Sequence, residues 1–333
     1  MKFVRAIDVM STDPRHERLP HDPAFEEGSG ARNGRVIPVA ETAVSIRDEG
    51  FLRSTAVYDA VSTSRGLFFR LEDHLDRFFA SCKRVYLRSP LDREEIREML
   101  HRMVAVTGLQ DTLVYWIVTR GELQYAFDDN HRVFKSASIP RVGNLFGMAE
   151  PYAPQHDDDR QQRGVNVVVS ERVVRIPPES VDPKAKNLHW LDLTTSLGEA
   201  VMRGAEWSVL SDGNGCLTEA PGANVFVVKQ GVAATPAEGC LEGITRLATF
   251  ELCEEFGVPV EVRKVGVDEL EGADEAFFTT TAGGIMPIGT VNGTQLGGRA
   301  GPGELSVRLH NAYWEKRWDG WHGEPVDYSL ANR

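Results

Sequence analysis

The chain is short of cysteine and lysine, carries no excess of positive charge and contains no long apolar run. Each shortage excludes something. The four cysteines, Cys82, Cys216, Cys240 and Cys253, form no C-x-x-C pair, and no His/Cys cluster has zinc spacing. A disulfide framework and a structural zinc are therefore excluded, and the cysteines read as plain thiols in a reducing cytosol. The net charge of −12 argues against a nucleic-acid partner, because phosphate backbones are held by clustered Lys and Arg. A small anion is still admissible, since a local pocket can oppose the global sign. No run of about 18 apolar residues exists to span a membrane. The N-terminal stretch lacks the apolar core of a signal peptide, so a cytoplasmic location is expected.

What is present suits an ordinary globular chain. Its 333 residues, 41% hydrophobic and 26% charged, fit two domains of roughly 150 residues each. Residues 1–35 are polar and rich in Gly and Pro and read as an arm or long loop. Leu71, Leu75, Phe78, Phe79, Cys82 and Tyr86 form one stripe of a helix over 71–87. A second helix fits 91–106, stopped by Gly108, and 112–119 (TLVYWIVT) reads as a buried strand. A polar, Pro-containing run at 147–164 is the expected interdomain loop, separating a first domain, 1–146, from a second, 165–333. In the second, the pattern predicts a strand at 165–170, a helix at 191–203 and a hairpin of 224–228 with 232–235. A helix at 245–256, a strand at 275–281 and a helix at 304–318 follow. No repeat of 20–50 residues is present. Strands and helices mix in both halves, so the fold class is α/β (α+β) with two domains.

Lysine is the informative scarcity. There are eight: Lys2, Lys83, Lys135, Lys184, Lys186, Lys229, Lys264 and Lys316. A lysine that bonds to a carbonyl must be partly buried, so that its amine is neutral enough to attack. Lys229 falls in a predicted turn and Lys83 among charges. Lys186 stands between Ile176-Pro177-Pro178 and the apolar Leu188, Trp190 and Leu191, which suits burial but is also compatible with a solvated structural lysine. Three further segments share this ambiguity. Gly243-Ile244-Thr245-Arg246 opens a helix, whose free N–H groups bind phosphate well; an ordinary Thr cap is the plain alternative. Thr279-Thr280-Thr281-Ala282-Gly283-Gly284 ends a strand in hydroxyls and a glycine turn, a second phosphate cup or only a strand end. Glu219, before Ala220-Pro221-Gly222-Ala223-Asn224, is able to keep a pyridine nitrogen protonated or merely to form a turn.

Taken together, and in this order, these segments resemble the class IV aminotransferases, the pyridoxal-phosphate enzymes of fold type IV. The residues that carry the resemblance are Val181-Asp182-Pro183-Lys184-Ala185-Lys186-Asn187, Glu219-Ala220-Pro221-Gly222-Ala223-Asn224-Val225-Phe226, Leu241-Glu242-Gly243-Ile244-Thr245-Arg246 and Phe277 through Pro287. In the first half, Gly66-Leu67-Phe68-Phe69-Arg70-Leu71-Glu72-Asp73-His74-Leu75-Asp76-Arg77 resembles the family's phosphate-arginine segment. The register holds over roughly 45–320, and four motifs in order are far more specific than any one alone.

The resemblance implies a smaller N-terminal α/β domain, a larger C-terminal cofactor-binding domain with a barrel-like sheet, and a homodimer. It implies that Lys186 holds pyridoxal 5'-phosphate and shuttles the proton. Arg70 clamps the phosphate, with Leu241, Ile244, Thr245 and Thr281 completing its cup, and Glu219 pairs with the ring nitrogen. A protonated ring withdraws the electrons left when substrate loses its Cα proton. Family members also present the cofactor face opposite to that of most aminotransferases.

Within the family, Phe51 through Asp59 and Lys186-Asn187-Leu188-His189-Trp190 resemble the (R)-selective amine transaminases. So does Glu-x-Pro-Gly-x-Asn at Glu219, where Pro221 replaces the small residue common in the wider family. The implied substrates are a primary amine of R configuration and a 2-keto acid such as pyruvate. Tyr58, Trp190, Thr280 and Ala282 would line the substrate pocket. The loop 122–132 departs from that subgroup, with Asp128 and Asp129 near the place of its carboxylate-binding arginine. Arg53 and Arg132 are the candidates to replace it. Other readings on the same fold are a D-amino-acid or branched-chain aminotransferase and an aminodeoxychorismate lyase. A binding protein that kept the shape without the chemistry is the reading outside catalysis.

Overall fold

A computed structural model describes residues 3–4, 17–123, 125–135 and 142–332. Packing divides these into two units. One holds the described residues of Pro14–Tyr152, Ala185–His189 and His322–Arg333; the other holds those of Met1–Asp13, Ala153–Lys184 and Trp190–Trp321. The sequence predicts one change of domain, within 147–164. The chain does change unit after Tyr152, but it returns to the first unit for 185–189 and again for the C-terminal residues. The stretch 185–189 is drawn back because its backbone bonds there: the Tyr58 N–H donates to the Lys186 carbonyl at 2.9 Å, and the Lys186 N–H to Ser81 Oγ at 3.0 Å.

The first unit is built on a seven-stranded sheet. Its strands are β1 (Ser29–Arg32), β2 (Arg35–Pro38), β3 (Ala56–Ser64), β4 (Leu67–Phe69), β5 (Thr112–Thr119), then β8 (Leu145–Pro151) after the small hairpin β6 (Tyr125–Phe127) and β7 (Val133–Lys135). The seventh is Gly323–Pro325, which pairs with β4. All nine residues of β3 are buried, the mark of a central strand covered on both faces. Helices α1 (Glu49–Arg53), α2 (Leu71–Arg84) and α3 (Arg93–Thr107) complete the unit. Helix α3 starts with a capping box between Asp92 and Glu95 and stops at Gly108, whose φ of 64° suits glycine.

Two expectations fail in this unit. The arm predicted over 1–35 is not all arm: Ser29, Gly30 and Ala31 are buried in β1, paired on both sides by β2 and β8. Small residues let the strand pass close to Thr42 and Met103, so a buried strand there carries no hydrophobic signature. The residues of that arm at 1–2 and 5–16 lie outside those described. The helix predicted over 71–87 ends at Arg84, and Tyr86 is exposed with a φ of 56°. Leu71, Leu75, Phe78 and Cys82 do form the buried stripe.

The second unit is built on an eight-stranded sheet. Its strands are β9 (Val165–Val169), β10 (Trp207–Val209), β11 (Asn224–Lys229), β12 (Val232–Pro236), β13 (Val260–Arg263), β14 (Glu275–Thr280), β15 (Gly284–Val291) and β16 (Thr294–Gln295). The path runs β10-β9-β15-β14-β11-β12-β13, mixing antiparallel hairpins with parallel pairs. The helices are α4 (Asp158–Arg163), α5 (Leu191–Met202), α6 (Ile244–Glu255), α7 (Val267–Glu271) and α8 (Glu304–Trp318). Helix α4 lies inside the predicted interdomain loop, capped by Asp157 through the Arg160 N–H. No helix among the described residues is long and apolar enough to cross a membrane.

Glu199 on α5 gives this unit an acid-sensitive joint. Its carboxylate accepts from Ser170 Oγ at 2.7 Å, the Glu171 and Arg172 N–H groups and Arg203. Burial alone would raise its pKa, but these donors outweigh it and hold the group at about 2, against an ordinary 4.5. A depressed carboxylate contributes stability that is whole above its unfolded pKa and is lost as pH falls towards the folded one. Stability is thus expected to fall between pH 4.5 and 2. Acid titration of thermal unfolding should show a shallower fall for Glu199→Gln, and an identical slope would remove Glu199 as the cause.

Candidate active site

In the first unit the site residues gather around β3. Lys186 is half-buried, and its Nζ stands 4.3 Å from the centroid of the Tyr58 ring. Because Tyr58 also bonds the Lys186 carbonyl, one strand residue positions both the backbone and the amine of the lysine. Asn187 extends the attachment through a bridge to Val57. On β3 itself, Asp59 is fully buried and accepts from Arg77 at 2.7 and 2.9 Å, with His74 Nδ1 at 2.8 Å. Burial opposes the charge on Asp59, yet Arg77 and His74 hold its pKa below the carboxylate range. Burial, Arg77 and the Lys186 amine all lower His74, outweighing the pull of Asp59. Sequence reasoning misses this cluster, although His74 and Arg77 sit inside the recognised segment; nothing in one sequence pairs them with Asp59.

Arg70 caps α2 in the left-handed conformation, with φ 56° and ψ 42°. Such a backbone is uncommon for a side chain of this size and marks an enforced sharp turn between β4 and α2. The side chain is mostly buried, and its Nε is 2.5 Å from Asp73. The two arginines proposed for the substrate carboxylate lie elsewhere in the unit. Arg53 ends α1, half-exposed, with Glu49 at 3.6 Å. Arg132 is exposed and its Nε donates to Asp128 at 2.6 Å. In the loop between Arg120 and Arg132, Gln124 lies outside the described residues.

In the second unit the residues converge on Glu219, which is buried. Its Oε1 accepts from Arg175 Nε at 2.9 Å and its Oε2 from the Leu241 N–H at 3.0 Å. Asn224 Nδ2 donates to the Leu241 carbonyl at 2.7 Å, so Leu241 is held at both its N–H and its carbonyl. Gly243 begins α6 with no side-chain cap, and a Cβ there would stand 2.1 Å from Asn224 Oδ1. Only glycine lets the first turn, with Ile244 and Thr245 both buried, approach so closely. Thr279, paired across to Asn224, has a buried hydroxyl with no partner among the described residues. Thr280 is buried, while Thr281 and Ala282 are half-buried in the turn before β15. Trp190 packs its ring 3.1 Å from where a Cβ on Gly222 would lie. Sequence reasoning misses Arg175, which no motif singles out.

The residues of each unit, taken by themselves, fit pyridoxal phosphate: the first offers a half-buried amine for the cofactor's carbonyl, and the second a buried carboxylate for the ring nitrogen, with an uncapped helix start and an orphaned threonine hydroxyl for the phosphate. No group of three or more metal-ligating side chains occurs among the described residues.

The profile of the family Amino-transferase class IV matches residues 56–291. The D-alanine aminotransferase of Bacillus licheniformis is 27% identical over 282 residues, 84% of this chain and 94% of the relative. The branched-chain-amino-acid aminotransferase of Pseudomonas aeruginosa is 30% identical over 269 residues, 80% and 83% of the two chains. The branched-chain amino acid aminotransferase of Thermobaculum terrenum, solved in its PLP-bound holo-form, superposes with a TM-score of 0.76 at 24% identity, covering 91% of this chain and 99% of that one. The chain belongs to the class IV aminotransferases. It is a pyridoxal-phosphate-dependent enzyme that moves amino groups between amino and keto compounds.

Proposed function

We propose that the chain transfers an amino group from an R-configured primary amine to a 2-keto acid such as pyruvate. When bound, pyridoxal phosphate supplies the electron sink. Lys186 Nζ then takes the proton from substrate Cα and returns it, Glu219 holds the proton on the ring nitrogen, and Arg70, Leu241, Ile244, Thr245 and Thr281 bind the phosphate end. Tyr58, Trp190, Thr280 and Ala282 shape the substrate pocket. The observation that carries the amine reading is that Phe51 through Asp59, Lys186 through Trp190 and Pro221 after Glu219 resemble the (R)-selective amine transaminases, with the Trp190 ring packed beside Gly222. A second reading, a D-amino-acid or branched-chain aminotransferase, is favoured by the relatives just described. Single-turnover half-reactions of the holoenzyme with (R)- and (S)-amines, D-alanine and L-leucine as separate donors test both; the R-amine should react fastest, and preference for either amino acid would replace this reading with the second.

The acceptor still brings a carboxylate, and an unpaired buried charge is costly. We assign its grip to Arg53, whose 3.6 Å pairing with Glu49 is looser than the 2.6 Å bond that ties Arg132 to Asp128. Arg53→Ala should raise the pyruvate KM about tenfold or more while the amine half-reaction stays nearly intact. The same pattern in Arg132→Ala, with Arg53→Ala unaffected, would move the role to the loop.

A homodimer in the cytoplasm completes the reading. Val44, Ile46, Phe51 and Leu52 are exposed apolar side chains close together in sequence, on and before α1, a surface suited to a partner. Light scattering should give twice the monomer mass, and Ile46→Glu should lower it. A fully active monomer would reject the dimer.

A further inference from the structure

We propose that Asp192 is a positioning residue for amino transfer, setting through Arg175 how much negative charge Glu219 presents to the ring nitrogen of pyridoxal phosphate. The inference rests on the reading that Glu219 serves that nitrogen. Arg175 is buried and bridges two carboxylates: its Nε donates to Glu219 Oε1 at 2.9 Å and its Nη1 to Asp192 Oδ2 at 2.6 Å. Glu219 and Arg175 alone would sum to zero charge and hold a pyridinium proton weakly. Asp192 restores a net charge of −1 to the trio, so that Glu219 acts towards the ring as a full carboxylate. In a buried setting such a unit charge is felt strongly, because little water screens it.

The trio is also fixed in place. Asp192 lies in the first turn of α5, where its Oδ2 accepts from the Ile176 N–H at 3.0 Å and its Oδ1 from the Leu193 N–H at 2.9 Å. The Arg175 N–H donates to the Ser211 carbonyl at 2.9 Å. Burial opposes the Arg175 charge, but Glu219 and Asp192 together hold the guanidinium above its ordinary range. Cys240 also faces Glu219; its thiol is pushed up to about 12 by burial and by Glu219 and therefore adds no charge.

The test reads the ring nitrogen directly. Holoenzyme is loaded with pyridoxal phosphate labelled with nitrogen-15 in the ring, and its NMR shift is followed against pH. Asp192→Asn keeps an oxygen for the Ile176 N–H but removes the charge. Its protonation midpoint should fall by about one pH unit, with the amine half-reaction slowed about tenfold. The double variant Arg175→Gln/Asp192→Asn frees Glu219 from the uncompensated guanidinium and should return the midpoint to the wild-type value or above. A merely structural role for Asp192 predicts no such recovery. Where Asp192→Asn alone does not fold, the double variant decides: a midpoint below wild type overturns the proposal. An unchanged midpoint in folded Asp192→Asn overturns it as well, and so does failure of both variants to fold. Glu219→Gln is the control for the underlying reading: if the ring stays protonated there, Glu219 does not serve the nitrogen, whatever Asp192 does.

Discussion

Lys186→Ala is expected to keep the fold and lose amino transfer by three orders of magnitude or more, on the order of 4 kcal/mol in the barrier. The fold survives because the backbone, not the side chain, anchors this segment. The Lys186 N–H bonds to Ser81, its carbonyl to the Tyr58 N–H, and Asn187 bridges to Val57. The side chain gives up its contact with the Tyr58 ring. What disappears is the half-buried amine placed to bond a carbonyl and to carry a proton at substrate Cα. Lys184 is no substitute: it is exposed and its Nζ sits 2.7 Å from Glu242. Borohydride reduction of the wild type, followed by peptide mass, should place the cofactor on Lys186, and the variant should not be labelled. Label on Lys184, or single-turnover rates in Lys186→Ala near wild type, would end the assignment.

How far the sequence can be read depends on how local each feature is. Helix α3 is legible to within two residues because its periodic apolar face, Asp92-Glu95 box and Gly108 stop are all encoded within the helix itself. The hairpin of β11 and β12 is legible because its strands and the Lys229-Gln230-Gly231 turn are contiguous in the sequence. Strand β1 is not, since Ser29-Gly30-Ala31 buries small residues whose placement depends on β8, more than a hundred residues away. Within the resemblance segment Phe51 through Asp59, the break between α1 and β3 is not legible; Ser54 makes it by turning left-handed at φ 53°. At the candidate site, motif order points to Lys186, Glu219 and the glycine before α6. Arg175, Asp59 and Ser81 are not, because each acts by meeting a partner distant in sequence, and a single chain of letters carries no trace of that meeting.

Glu219→Gln should retain bound cofactor and slow the half-reaction about 100-fold or more, a few kcal/mol. The carboxylate has two oxygens, both engaged as acceptors, from Arg175 and from the Leu241 N–H. An amide has one. If its oxygen faces Arg175, its NH2 is turned on the Leu241 N–H; if it is flipped, two donors meet at Arg175. Either way one buried donor loses its partner, which costs about 1–3 kcal/mol in stability. That cost is separable from the catalytic one. It lowers the melting temperature, while phosphate binding and the bond to Lys186 keep the cofactor in place. The catalytic loss comes from the missing charge, because an amide does not hold a proton on the ring nitrogen and the electrons released at Cα then have a poorer sink. Glu219→Asp keeps the charge at a shorter reach, so it should recover part of the rate without recovering the packing. A half-reaction rate constant unchanged in Glu219→Gln, measured with saturating cofactor at a temperature where the variant is folded, would show that Glu219 serves only to hold Arg175 and Leu241.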